Sequence, residues 1–142
     1  MTPAPPFGFK RDPHSGVPVY RQIIDQVQAG LASGRLARGD QLPTVRQVAV
    51  DLEINPNTVL RAYRELEIRG VLDTQQGTGT FVSDRPVPEN DTERARKLEQ
   101  LVGDVIARAG AGGFTLREVT EVLQMRLDDS PEGKNEGKKR TR

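Results

Sequence analysis

Apolar residues return every three or four positions in five stretches of this chain, and close to every second position in two short ones. That contrast predicts a mainly α protein with one small β-hairpin. The clearest helical stretch begins at Asn55 and reads NPNTVLRAYRELEIRG. Its residues Val59, Ala62, Tyr63 and Leu66 recur at i, i+3, i+4 and i+7, which makes one buried stripe. Both of its ends are marked. The Asn55 side chain can accept from a first-turn N–H, Pro56 suits the first helical position, and Gly70 supplies a left-handed stop. The opposite face carries Asn57, Arg61 and Arg64, with Thr58 beside them. Such a face is either a solvated surface or a reading head for DNA. Arg can donate two hydrogen bonds to a guanine edge and Asn can pair with an adenine edge. Thr or a helix N-terminus can hold a phosphate.

The segments before this helix favour the second reading. Residues 1–17 are rich in Pro and Gly and predict a poorly ordered N-terminal arm, with a short extended piece at 7–11. Residues 18–34 predict a first helix, with Pro18 near its start and Gly34 at its end. Val19, Ile23, Val27 and Leu31 form its stripe, with Ile24 alongside. The following loop exposes Arg35 and Arg38. Thr44 then opens a second helix, and Gln47 three residues on completes a T-x-x-Q capping box. Val45, Val48, Ala49 and Leu52 are its buried side, and Arg46 points off it. Two helices of about eleven and about fifteen residues, joined by a turn at 53–56, fit a helix-turn-helix. After Gly70 the period shortens. Residues 71–75 and 80–83 predict strands, with Gly77, Thr78 and Gly79 at the hairpin tip. A hairpin placed directly after a reading helix suits a wing that touches phosphates or the minor groove.

Residues 84–91 contain Pro86 and Pro88 and predict a linker. Residues 92–109 form another helix, striped by Ala95, Leu98, Leu101, Val102, Val105, Ile106 and Ala109. A glycine-rich break at 110–113 follows, then a second capping box from Thr115 and Glu118. Leu116, Val119, Val122, Leu123 and Leu127 stripe the last helix. Two helices of this size cannot close a core alone. A second copy of the chain is the expected cover, ahead of folding back on the first domain. Residues 130–142 hold five Lys and Arg, two Glu and no large apolar residue, and predict a disordered basic tail. The predicted organisation is therefore an arm at 1–17, a winged helix-turn-helix DNA-binding domain at 18–85, a helical dimerisation segment at 86–129 and a tail at 130–142.

Charge narrows the argument without making it. The 142 residues carry a net charge of +1. Residues 1–85 hold ten Lys and Arg against nine Asp and Glu, and residues 86–142 hold eleven of each. DNA affinity must come from where the charges sit. There is no cysteine, and the one histidine, His14, lies in a Pro/Gly-bounded loop. Disulfides and thiolate metal sites are excluded. No paired carboxylates, nucleophile-base set or phosphate loop appears, so no catalytic residue, metal or cofactor is expected. No apolar run approaches a membrane span and no signal peptide is visible. A cytoplasmic protein with no membrane partner is expected.

Four segments carry a more specific likeness: DPHSGVPVYRQI from Asp12, GDQLPTVRQVA from Gly39, NPNTVLRAYREL from Asn55 and GTGTFV from Gly77. In this order they resemble the GntR family of bacterial transcription regulators, over roughly residues 12–83. The short two-helix C-terminal part resembles the YtrA subfamily, whose members lack a large effector domain and often accompany ABC-transporter genes. The resemblance implies a homodimer that binds an inverted-repeat operator in double-stranded DNA, usually as a repressor. It implies that Arg46 contacts DNA from the start of the second helix, that Asn57, Thr58 and Arg61 lie in the recognition region, and that Gly77 and Gly79 form the wing tip. With Arg35, Arg64 and Thr78 from the residue reading, these are the candidate DNA-binding residues. Pro56 and Leu60 stand where many members carry arginine, so the base-reading pattern does not transfer.

Two other functions have requirements that this sequence does not meet. Winged domains of this kind also occur fused to pyridoxal-phosphate aminotransferase-like domains. That would need a far longer chain and a Schiff-base lysine, and the one lysine between 86 and 129 is Lys97, on a charged face. A protein-binding adaptor would carry aromatic anchors where Asn57, Arg61 and Arg64 stand. If a small-molecule effector acts, its site is expected at the dimer interface or between domains, because residues 92–129 are too few to wall a closed pocket of about 300 Å³; the sequence names no such effector.

Overall fold

The computed structural model describes residues 7–84 and 90–131. The chain divides into two units, Met1–Asp84 and Arg85–Arg142. The first holds α1 (Val19–Ala32), α2 (Val45–Leu52), α3 (Pro56–Ile68), β1 (Leu72–Gln75) and β2 (Gly79–Val82). The second holds α4 (Asp91–Ala111) and α5 (Leu116–Asp129). The expected linker falls largely on residues 85–89, and the tail beyond residue 131, as does the arm before residue 7; these lie outside the described residues.

Helix α3 is the centre of the first unit and packs against α1, α2 and β1. Its stripe Val59, Ala62, Tyr63 and Leu66 is fully buried. The local signals all act as expected. Asn55 Oδ1 accepts from the Asn57 N–H at 2.9 Å, Pro56 occupies the first turn, and Gly70 takes a left-handed φ of 76°. Helix α1 buries Ile23, Ile24, Val27 and Gly30, while Leu31 is only half-buried. It stops at Ala32, two residues short of the expected 34, because Gly34 turns left-handed. Helix α2 is shorter than expected, eight residues, and ends where Glu53 itself turns left-handed. Its capping box is only half built. Thr44 Oγ1 accepts from the Gln47 N–H at 3.1 Å, but the Gln47 side chain reaches forward to Asp51 at 2.8 Å instead of back.

Leu36 and Leu42 from the loop, with Leu72 and Val82 from the strands, complete the core. The antiparallel hairpin runs from Leu72 opposite Val82 to Gln75 opposite Gly79. The loop before α2 joins its outer edge. The Leu42 N–H donates to the Thr80 carbonyl at 2.8 Å, and the Val82 N–H to the Asp40 carbonyl at 2.8 Å. Tyr63 also ties α3 to this loop, its hydroxyl donating to the Pro43 carbonyl at 2.7 Å. Burial pushes the Tyr63 phenol well above its ordinary range, so it stays a donor. Tyr63→Phe leaves the Pro43 carbonyl unpaired and should cost about 1–3 kcal/mol. Urea unfolding of the two proteins measures it, and an unchanged midpoint would mean that water replaces the hydroxyl.

The arm corrects the sequence expectation. Residues 7–17 are not loose. Phe7 and Phe9 pack on the core, edge to face at 5.1 Å from each other, and Phe9 reaches within 6.5 Å of the Tyr63 ring. Phe7 lies so close to Gly30 that a Cβ there would stand 2.8 Å from its ring, which explains a glycine inside α1. Two α1 glutamines fix the backbone. Gln26 accepts from the Lys10 N–H at 2.9 Å and donates to the Lys10 carbonyl at 2.6 Å; Gln22 does the same for Asp12, at 2.8 and 2.9 Å.

In the second unit, Asn90 caps α4, which runs through Gly110 to Ala111, so the break is confined to Gly112 and the residues after it. The Thr115–Glu118 box is complete, with bonds of 3.2 and 2.7 Å; the Thr115 N–H, and after it the Thr115 hydroxyl at 3.1 Å, donate to the Glu118 carboxyl and hold it below its ordinary range. No residue of α4 or α5 is buried. Among the described residues, no helix is long and apolar enough to cross a membrane.

Candidate nucleic-acid interface

The α3 stripe that builds the core leaves Asn57, Arg61 and Arg64 exposed on its other side, with Thr58 half-buried. Asn57, Arg61 and Arg64 line one open concavity of about 320 Å³, together with Leu60, Glu65 and Ile68. Its lining carries two arginines and one acid, Glu65. Both acids of α3 lie in its second half and have partners. Glu65 pairs with Arg69 at 3.2 Å, and Glu67 accepts from the Thr74 hydroxyl on β1. Neither α2 nor α3 has an acid in its first turn, whereas α4 has Asp91 and Glu93 and α5 has Glu118. Acids are the usual complement to the positive end of a helix. Their absence leaves the α2 and α3 N-termini able to attract anions.

Arg61 and Arg64 differ in support. The Arg61 guanidinium lies over the Tyr20 ring of α1, 3.8 Å from its centroid. Arg64 makes no ion pair among the described residues. The Tyr20 contact is tertiary, and no periodicity in the sequence signals it. Arg46 is exposed on the first turn of α2, and Arg35 is exposed on the loop after α1. Both stand outside the α3 concavity.

The wing tip holds Gly77 and Thr78, while Gly79, expected in the tip, opens β2 opposite Gln75. Gly77 has a φ of 80°, and the Thr78 N–H closes the turn on the Gln75 carbonyl at 3.0 Å. Gln41 is the residue that sequence reasoning missed. Its side-chain amide donates to the Thr78 carbonyl at 3.2 Å, and a Cβ on Gly79 would stand 2.6 Å from that nitrogen. The loop before α2 therefore shapes the wing. Gly77→Ala, in open space, should cost about 1 kcal/mol of stability for its left-handed backbone. Gly79→Ala, at a φ of 137° that L residues rarely adopt, should cost more, up to about 3 kcal/mol, while the exposed Gln41 amide end moves aside. Denaturant titration of both variants gives the order, and the reverse order would mean that the backbone at position 79 relaxes on substitution. Among the described residues, no cluster could hold a metal ion.

Residues 19–82 match the family described as bacterial regulatory proteins, gntR family. The HTH-type transcriptional repressor YtrA of Bacillus subtilis is 33% identical over 123 residues, which cover 87% of this chain and 95% of that protein. The chain belongs to the gntR family. Two solved structures extend the likeness to the fold. A transcriptional antiterminator from Listeria monocytogenes superposes with a TM-score of 0.64 at 26% identity, covering 85% of this chain and 90% of that one. YtrA from Sulfolobus acidocaldarius, a GntR-family transcription factor, gives 0.52 at 31% identity, over 72% and 97%. The chain is thus a YtrA-like gntR protein whose first unit is a winged helix. The gntR family is one of regulators, so this is a regulatory protein and not an enzyme.

Proposed function

We propose that this gntR protein is a sequence-specific DNA-binding repressor that acts in the cytoplasm, as a homodimer, on an inverted-repeat operator. The observation that carries the reading is the α3 face, where Asn57, Arg61 and Arg64 share one exposed concavity whose lining acid, Glu65, is paired with Arg69. In this reading α3 enters the major groove, Arg46 meets phosphate from α2, Arg35 adds a peripheral phosphate contact, and the wing at Gly77, Thr78 and Gly79 follows the backbone. Residues 18–85 are the DNA-binding domain and 86–129 the dimerisation segment. The uncovered apolar residues of α4 and α5 support a second copy as their cover. The regulated unit is a small operon, on the likeness to a subfamily that often accompanies transporter genes. The DNA-free names of the B. subtilis and S. acidocaldarius relatives, a transcriptional repressor and a transcription factor, agree with this role.

The test is fluorescence anisotropy of the full chain on a duplex selected from a randomised pool and on its scrambled counterpart, at two salt concentrations. The selected duplex should bind about a thousandfold tighter or more. Both affinities should fall as salt rises. Equal binding to both duplexes at each salt would leave a winged adaptor without sequence preference.

A further inference from the structure

Two arginines of the same face, Arg61 and Arg64, would read or hold DNA in the role proposed above, yet only one is held from behind. We infer that Tyr20 is a positioning residue for recognition: from the first turn of α1 it sets the Arg61 guanidinium in place before DNA arrives. This rests on the proposed role of α3. The observation is the 3.8 Å separation of the guanidinium carbon from the Tyr20 ring centroid. That is the spacing of two π faces in contact. A guanidinium carries its N–H donors in its own plane. A partner on its face leaves the edge donors free, and the edge is what a bidentate contact to guanine uses. Tyr20 therefore fixes the group without consuming its recognition chemistry.

The fixing matters because an arginine side chain has much rotamer freedom to lose on binding. With the ring beneath it, Arg61 has lost part of that freedom already. Preorganisation of this kind sharpens discrimination, because a wrong base meets a donor pair that does not swing to another acceptor. Arg64 has no such ring and keeps its freedom, which suits a phosphate, where an exact direction is not needed. The α1–α3 packing through Ile23, Ile24, Val27 and Val59, all fully buried, makes the platform rigid.

The experiment uses the full chain and the duplex selected by the wild type, with every single base-pair variant of one half-site. Arg61→Ala marks the base position that Arg61 reads. Tyr20→Leu should lower the preference at that same position about three- to tenfold, and leave other positions and scrambled duplex unchanged. Tyr20→Phe keeps the ring face and should keep the preference. Tyr20→Leu placed in the Arg61→Ala background should add nothing. Melting curves accompany each variant. If Tyr20→Leu does not fold, the proton spectrum of the wild type decides, since the ring must shift the Arg61 side-chain protons upfield. Unshifted protons would overturn the inference. So would a Tyr20→Leu protein that keeps its full preference, or one that loses affinity equally for all duplexes. An Arg61→Ala protein with every base preference intact would show a different failure, in the role of Arg61 itself, and would take this inference with it.

Discussion

A chain cut after Asp84 will fold, sediment as a monomer, and bind a full operator about a hundredfold to ten-thousandfold more weakly than the intact protein. It folds because, among the described residues, every buried apolar side chain lies between Ile23 and Val82. It is monomeric because most of the exposed large apolar residues described, all but Val17, Val50 and Ile68, are removed with α4 and α5 and the turn between them. Leu98, Val102, Val105, Ile106 and Leu123 are 40–58% exposed in α4 and α5. So many large apolar residues exposed on two helices are uncommon on a protein that works alone. The loss in affinity follows from joining two reading heads. Once one winged domain has bound, the second meets its half-site at a high effective concentration, and a monomer forfeits that gain. Full-length protein with Val102→Asp and Val105→Asp should match the truncation in both sedimentation and affinity. A truncated chain that still sediments as a dimer would place the interface in the winged domain.

Arg61→Ala and Arg46→Ala will weaken binding in different ways. Arg61 faces outward from the reading side of α3, within reach of a base edge when the helix lies in the major groove. Its loss should cost about 1–3 kcal/mol per half-site on the selected operator and relax one base position. Arg46 stands at the start of α2, the helix that crosses the backbone. Its loss should weaken selected and scrambled duplex alike and lower the salt dependence by about one counterion per half-site. Arg46→Ala should leave stability unchanged. Arg61→Ala also gives up the Tyr20 ring contact, at about 0.5–1 kcal/mol. Titration of both variants over a salt series separates the two patterns. An Arg61→Ala protein that binds both duplexes less well, with its base preference unaltered, would remove Arg61 as the base reader.

The sequence made α3 legible because its signals are local. Asn55, Pro56 and Gly70 act on backbone within one turn, and a 3.6-residue period needs no knowledge of the partner surface. The same holds for the Thr115–Glu118 box, which is built in full. The arm was not legible. Phe7 and Phe9 alternate over too few residues to register as a strand, and their docking depends on the gap left by Gly30, twenty-odd residues away. Gln22 and Gln26 look like solvent-facing helix residues, although their amides satisfy the arm's backbone. Gln47 shows the limit of a motif. The T-x-x-Q spacing permits the reciprocal bond, but Asp51 one turn on competes for the same amide and holds it. In the candidate site, Asn57, Arg61 and Arg64 were visible from their spacing. Gln41 and Tyr20 were not, because each acts on a residue more than thirty-five positions away.

Helix α3 keeps packing and display on separate sides, Val59, Ala62, Tyr63 and Leu66 inward and Asn57 and Arg64 outward. Exposed positions without buried contacts usually tolerate substitution within about half a kcal/mol. Position 57, which can meet a base edge, can therefore drift without endangering the fold, and position 64 can drift at the cost of a phosphate contact alone. A lineage of such proteins can move from one operator to another by single steps, and every intermediate remains a folded protein on which selection can act. Position 61 is less free. A replacement there abandons an aromatic neighbour on another helix, so a change of reader at that point favours a second change at position 20. The two positions should covary among descendants that recognise different DNA.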